Sequence, residues 1–405
     1  MSSRDVKDAV RAVLDHVDTE RVVRLVQEVC RIPSVLGEEG PLAQYLVSVM
    51  AQSPAPFEDV RLQPVVAERP NAIGEVRLGD GPRIVMTGHM DTKPVSHGWE
   101  KSTPFSGDLL DGAVYGHGVM DMKAALVCQI VAIEAVVKSG LTGGTLAMAA
   151  VSDHMGDQLG SIAYFKEYGA DLCVLGELTD NQVCIGHRGR YYFDVTALGR
   201  SAHTCHKPLA VNANVLAAQL VLAFDRSKLE PGHLPATVVD LFGPETFIVP
   251  GRIYGGLAPG GPSMIPDECV IRVDCRPQPG VSVEEVRAEI DRCIAEATRV
   301  DPRIVASVEL ADVKSGYVAS VDSDVVRLMV EAYQSVNGTS ATIVTENWLG
   351  DTASFGAQIP TVIFGPGGTP VYCPDEHLSV EDIVEATNVY AAFSALALAD
   401  SEGRA

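Results

Sequence analysis

The stretch from residue 84 to residue 126 constrains the fold most, because it places imidazole and acidic side chains directly after an apolar run of strand length. Residues 84–86 follow a turn-like GDGP and predict a buried strand of an α/β sheet. His89 and Asp91 come at the carboxyl end of this strand, on one face, because side chains alternate along an extended segment. In such a His-x-Asp pair, the carboxylate fixes the imidazole tautomer while the other ring nitrogen binds a metal.

The second half of the stretch supplies another acidic group. A glycine-rich segment leads to Asp121, which opens a long apolar segment at residues 122–137. We predict a helix there, with Asp121 at the junction of loop and helix, where backbone amides and the positive helix end favour a carboxylate. His89 and Asp121 are therefore candidate metal ligands at the ends of neighbouring elements.

The composition narrows the class of protein. The chain has 405 residues, of which 46% are hydrophobic, so it is long enough for a sizeable core and for two domains. A net charge of −22 argues against nucleic-acid backbones and anionic membrane surfaces as partners. Nine cysteines without a CxxC pair favour a reducing compartment. The charged N-terminal segment lacks the apolar core of a signal peptide, and no apolar run approaches the roughly 18 residues of a membrane span. We expect a cytoplasmic protein.

The order of strand and helix patterns changes along the chain. Up to about residue 187 they alternate, which predicts a sheet covered by helices on both faces. Strands are then predicted at 192–198, 236–241, 268–275 and 304–310, with helices at 212–224 and 283–298. This βαββαβ order is that of a ferredoxin-like domain. Because α/β patterning returns afterwards, the ferredoxin-like segment is predicted to be an insertion.

Three motifs resemble those of a known family. GHMD at residues 88–91, a Trp followed by Pro-Phe at 99–105, and DG-x-x-YG-x-G-x-x-DMK at 111–123 closely resemble the metal-binding core of the M20 metallopeptidases. This family includes acetylornithine deacetylase, succinyl-diaminopimelate desuccinylase, aminoacylase-1 and glutamate carboxypeptidase. The resemblance implies a zinc-peptidase-like α/β catalytic domain at residues 1–189 and 313–405. An inserted ferredoxin-like α+β lid domain at 190–312 would mediate a homodimer.

The resemblance implies one complete metal position. His89 and Glu177 match ligands of the first metal, and Asp121 matches the bridging aspartate. Asp91 matches the residue that orients the histidine. One Zn²⁺, or Co²⁺ or Mn²⁺ in its place, is expected on these three ligands, with room left for water or substrate.

The second metal position has lost its own ligands. In VSDHMGD, His154 and Met155 stand where the family has two glutamates, the first a general base and the second a ligand, and Tyr372 stands where it has a histidine ligand. A thioether is a poor ligand for such a cation, whereas an imidazole takes up a proton near neutral pH. We therefore expect His154 to act as the base, and keep Tyr372 and His377 as candidate replacement ligands.

Other residues match the family's substrate groups. His203, in GRSAHTCHKP, matches the lid histidine that reaches a substrate carbonyl, commonly in the partner subunit's site, and so implies an oxyanion donor. Arg276 is suited to a substrate carboxylate, and Ser263 stands where the family has an asparagine. Asp351 matches a buried family aspartate, and we expect a structural role for it.

Three functions are compatible with this pattern. The first is a metal-dependent hydrolase of the amide C–N bond in an N-acyl amino acid or small peptide-like substrate. Loss of the water-activating glutamate also fits a non-hydrolytic biosynthetic enzyme that catalyses amide formation, cyclisation, elimination or isomerisation. The third is a catalytically silent ligand-binding protein, against which the retained metal ligands and His203 argue.

Overall fold

A computed structural model describes residues 3–256 and 263–401, and the chain forms two compact units. Residues 187–318 and 345–349 make up the second unit, and the remainder makes up the first. The segment predicted as a lid domain, 190–312, falls inside the second unit. Part of the glycine-rich motif that precedes Ser263 lies outside the described residues.

Helices and strands follow one another as listed here in chain order. The helices are α1 (Ser3–Leu14), α2 (Thr19–Cys30), α3 (Gly40–Ala51), α4 (Ala124–Lys138), α5 (Leu159–Glu167), α6 (Ala213–Asp225), α7 (Ala236–Phe242), α8 (Val283–Val300), α9 (Asp324–Asn337), α10 (Thr352–Phe355) and α11 (Val380–Ser401). The strands are β1 (Glu58–Val66), β2 (Arg69–Arg77), β3 (Arg83–His89), β4 (Asp108–Leu110), β5 (Ala113–Tyr115), β6 (Thr145–Val151), β7 (Leu172–Leu175), β8 (Val183–His187), β9 (Arg190–Leu198), β10 (Ala202–His203), β11 (Phe247–Gly255), β12 (Met264–Ile265), β13 (Glu268–Arg276), β14 (Val305–Lys314), β15 (Tyr317–Val318), β16 (Ile343–Glu346), β17 (Thr361–Ile363) and β18 (His377–Ser379). A π turn spans Val119–Lys123 and a 3₁₀ segment spans Thr204–Leu209.

The sheet of the first unit runs in the order β1-β2-β6-β3-β7-β17-β8. Strand β3 is parallel to both of its neighbours, β6 and β7. These three strands are apolar and almost wholly buried, as expected for parallel strands covered on both faces. Helix α4 is buried along nearly its whole length and packs against α2 and α11. The carboxyl ends of β6, β3 and β7 therefore meet at one edge of the sheet, where open α/β sheets bind their ligands.

The second unit confirms the predicted ferredoxin-like order. Its antiparallel sheet runs β11-β13-β9-β14, and helices α6 and α8 pack on the sheet to form its core. The chain order β9-α6-β11-β13-α8-β14 is βαββαβ.

The prediction of a strand at 236–241 is wrong, because this segment is helix α7, and the missing strand is β11. A short apolar run does not by itself separate helix from strand. The helix signals are Pro235 at its start and Gly243 at its end, with Val238 and Phe242 buried one turn apart. Strand β11 contains Pro250, which an edge strand tolerates. The proline makes the strand hard to recognise from the sequence.

None of the helices in the described part of the chain is long and apolar enough to cross a membrane.

Candidate metal centre

Three neighbouring parallel strands deliver the functional side chains to one place. His89 is the last residue of β3, His154 lies in the loop after β6, and Glu177 follows β7. Asp121 enters from the π turn that precedes α4. All four side chains are buried or nearly so, although each is polar or charged. Burying such groups together is costly without a compensating charge, which marks this cluster as a functional site.

The atoms of this cluster converge without sharing hydrogen bonds. His89 Nε2 lies 2.9 Å from Asp121 Oδ1 and 3.6 Å from Glu177 Oε1. All three atoms are buried and lack an aligned hydrogen-bond partner among the described residues. The three atoms converge without hydrogen bonds among them, which leaves a position for a cation. One imidazole and two carboxylates form a donor set that suits Zn²⁺, so the residues fit the ion that the sequence predicts.

The pKa values of these groups show how strongly the site attracts positive charge. Burial alone would lower the pKa of His89, but the carboxylates of Glu177 and Asp121 raise it to about 10. Burial raises the pKa of Glu177 to about 7 despite the opposing effect of His89. The pKa of Asp121 is lowered, because its contacts with His89 and Tyr372 outweigh burial. A divalent cation bound here would compete with protons for the same atoms.

Asp91 contacts both the His89 ring and the backbone of His154, through different oxygens. The predicted contact of its carboxylate with the His89 ring is wrong. The backbone carbonyl of Asp91 lies 2.9 Å from His89 Nδ1 and fixes the ring. The carboxylate instead accepts hydrogen bonds from the backbone N–H groups of His154 at 3.0 Å and Met155 at 2.7 Å. It therefore fixes the loop after β6 against the loop after β3.

His154 lies against the cation position and is oriented by Asp351. Its Nδ1 is 2.9 Å from Asp351 Oδ1, and Asp351 is completely buried. The rings of His154 and His89 stack with centroids 4.1 Å apart and 9° between their planes. Ligand-capable atoms of His89, His154 and Glu177 lie within 4.8 Å of one another. Burial and His89 lower the pKa of His154, but Asp351 and Glu177 outweigh them and raise it.

Tyr372 occupies the other side of Asp121. Its hydroxyl donates a hydrogen bond to Asp121 Oδ2 and lies 4.0 Å from Met155 Sδ. Burial and the Asp121 carboxylate raise the pKa of Tyr372 far above its usual range, so the side chain remains a neutral phenol. In this state it donates a hydrogen bond to Asp121, and its role as a replacement ligand stays a prediction.

His377, the other candidate replacement ligand, has different partners. It is the exposed first residue of strand β18, its ring stacks on Tyr115 with centroids 4.7 Å apart, and its Nδ1 lies 2.8 Å from the carbonyl oxygen of Asp375. Among the described residues, the group whose ligand-capable atoms lie within 4.8 Å of one another consists of His89, His154 and Glu177 and does not include His377. The structure therefore gives no support for His377 as a ligand.

The predicted substrate residues lie in the second unit. His203 is exposed, with Nδ1 2.9 Å from Cys205 Sγ. The carbonyl oxygen of Ser263 accepts a hydrogen bond from the 3₁₀ segment that follows His203, at 2.8 Å. The Arg276 guanidinium pairs with Asp274 through two contacts of 2.8 and 3.0 Å. The roles of His203, Ser263 and Arg276 stay predictions.

The fold and this cluster together define a metallohydrolase of the deacylase and peptidase type. Residues 85–395 match the family described as Peptidase family M20/M25/M40, and the chain belongs to that family.

Individual relatives are similar over most of their length. The succinyl-diaminopimelate desuccinylase of Methylobacterium radiotolerans is 25% identical over 398 residues, covering 93% of this chain and 96% of the relative. That of Rhodospirillum centenum is 26% identical, covering 91% and 95%. The crystal structure of aminopeptidase PepT from Bacillus cereus superposes with a TM-score of 0.73 at 18% identity, covering 94% of this chain and 99% of that one. The dipeptidase Dug1p from Saccharomyces cerevisiae superposes with a TM-score of 0.76 at 14% identity, covering 96% and 98%. These structures share the fold.

Proposed function

We propose that the chain hydrolyses the amide C–N bond of an N-acyl amino acid or small peptide-like substrate with the help of a divalent cation. The observation that carries this proposal is that buried ligand atoms of His89, Asp121 and Glu177 lie close together and have no hydrogen-bond partner among the described residues. The relatives named as desuccinylases and peptidases support the reaction class and the substrate class.

The three convergent residues would hold Zn²⁺, or Co²⁺ or Mn²⁺ in its place. When bound, such a cation polarises a carbonyl group and lowers the pKa of water. Because both carboxylates are buried and unpartnered on this side, the charge of the cation also offsets the cost of burying them.

His154 is the group that we assign to proton transfer. Its Nδ1 faces the Asp351 carboxylate and therefore carries the proton, which leaves Nε2 as an acceptor. The rings of His154 and His89 are stacked and nearly parallel, so their in-plane lone pairs lie in separate planes. We therefore assign His89 to the cation and His154 to accept a proton from the attacking water.

The second unit supplies the remaining predicted roles. We assign His203 as the donor that stabilises the developing oxyanion, and Arg276 with Ser263 as groups that recognise the substrate carboxylate and its surroundings. The exposure of His203 supports this assignment, because a donor that reaches a substrate has to be accessible.

We also propose a homodimer through the second unit. Strand β11 is an edge of its sheet and exposes Ile253 and Tyr254, while α6 exposes Val215 and Leu222 on one face. Glutamate at both Val215 and Leu222 is expected to yield monomers in light scattering, because it places charge in an apolar interface. The same substitution at the exposed Val300 on α8 is the control. A wild-type chain that is monomeric at assay concentration would contradict this proposal.

A cytoplasmic location is proposed as well. None of the cysteines in the described part of the chain forms a disulfide, as expected in a reducing compartment. Immunodetection in fractionated cells of the native host would test it, and recovery outside the cytoplasm would contradict it.

Metal removal tests the function directly. Protein treated with a chelator is expected to lose hydrolysis of a panel of N-acyl amino acids and dipeptides, and to regain it with stoichiometric Zn²⁺ or Co²⁺. Full turnover by metal-free protein would contradict the proposal. If metal-loaded protein binds members of the panel without turnover, the lost glutamate base would favour the non-hydrolytic enzyme or the silent binding protein instead.

A further inference from the structure

The two oxygens of Asp121 serve different partners. Oδ1 points toward His89 Nε2 and has no hydrogen bond, so it is available to the cation. Oδ2 accepts the hydrogen bond from the Tyr372 hydroxyl. A carboxylate that bridges two cations with one oxygen on each needs both oxygens for metal. Here one of the two is already satisfied by a protein donor.

The side chains on the Oδ2 side of Asp121 include the Tyr372 hydroxyl, which contacts Oδ2, and the thioether of Met155, which lies 4.0 Å from that hydroxyl. Neither carries the negative charge or the basic nitrogen that a divalent cation of the zinc type requires. The backbone of Tyr372 has a φ of 57°, a left-handed conformation that is unfavourable for a residue other than glycine. The chain therefore holds this ring against Asp121 at an energetic cost.

We propose that Tyr372 and Met155 fill the place of a second cation, so that the site binds a single divalent ion. In this arrangement Tyr372 is a positioning residue. Its hydroxyl engages Oδ2, so Oδ1 would be the oxygen that holds the ion. The inference deepens the proposed function and rests on it, because it concerns the same metal centre.

The number of bound ions tests the inference. Metal-free protein titrated with Zn²⁺ in competition with a chromogenic chelator is expected to bind one tight equivalent per chain. The double variant Met155→Glu/Tyr372→His, which replaces both neutral groups with ligands, is expected to bind two. Each single variant is the matched control and is expected to bind one. A folded double variant, verified by circular dichroism, that still binds one ion would overturn the inference.

A second measurement needs only the wild-type chain. The electron paramagnetic resonance signal of Co²⁺ is expected to reach full intensity at one equivalent, and a second equivalent is expected to add the signal of aqueous Co²⁺. Loss or broadening of the first signal would show a second ion next to the first and overturn the inference. Two tight ions would still leave the metal-dependent hydrolase intact, whereas no tight ion would contradict the proposed function itself. The two failures are therefore distinguishable.

Discussion

His89→Ala protein is expected to lose its tightly bound cation and to show a kcat/KM lower by about 10³-fold or more, since the cation supplies several kcal/mol of transition-state stabilisation. The physical reason is the charge left behind. Without the imidazole, Asp121 and Glu177 are two buried carboxylates, and they relieve their repulsion by taking up a proton rather than a metal. Metal analysis after desalting, together with kcat/KM on the panel, measures both effects.

His233→Ala is the matched control for this prediction. His233 is exposed and pairs with Glu285 at 3.2 Å, so the same substitution removes an imidazole from the surface instead of the site. Metal content and kcat/KM should both remain at the wild-type level. Retention of one tight ion by the His89→Ala protein would mean that the cation is held elsewhere, and the assignment of the three ligands would fall.

The fold was largely predictable because its signals are local. The buried strands β3, β6 and β7 are largely apolar runs. The inserted unit is indicated by a change in the order of predicted strands and helices. The prediction at 236–241 failed because six apolar-rich residues do not by themselves distinguish a short helix from a strand. Tertiary packing of Val238 and Phe242 decides that question.

The metal ligands were predictable only in part from spacing. Alternation along a strand placed Asp91 beside His89, but it does not reveal which oxygen of Asp91 accepts from the ring. The structure shows that the backbone carbonyl does, while the carboxylate fixes the loop of His154. A sequence pattern gives the face of a residue, and the atom in contact depends on how two loops pack.

Contacts between residues far apart in sequence could not be predicted from the residues around each partner. Asp351 contacts His154 across 197 positions of sequence, and Tyr372 contacts Asp121 across 251. The sequence predicts only a structural role for Asp351, because this residue matches a buried aspartate of the family. The signal that points to a further role is the histidine that replaces the usual glutamate at position 154, because a histidine that takes up protons needs a partner to fix its tautomer.

His154→Ala is expected to lower kcat by about 10²- to 10⁴-fold, the usual contribution of a positioned acid or base, with the bound metal retained. Retention of the metal separates proton transfer from ligation, since ligand-capable atoms of His154 and Glu177 lie close together. His154→Glu restores the carboxylate that the family uses and is expected to recover part of the rate. Loss of the ion from the His154→Ala protein would instead make this histidine a ligand.

Asp351→Asn is expected to lower kcat by about 10- to 100-fold, the usual effect of disturbing a group that orients a histidine. An asparagine that turns its NH₂ toward His154 Nδ1 moves the ring proton to Nε2 and removes the acceptor. Because Asp351 acts through the ring, the same substitution in the His154→Ala background is expected to cost almost nothing, which a double-mutant cycle measures. Equal losses in both backgrounds would show that Asp351 supports the loop independently, and the proton-transfer role of the pair would be contradicted.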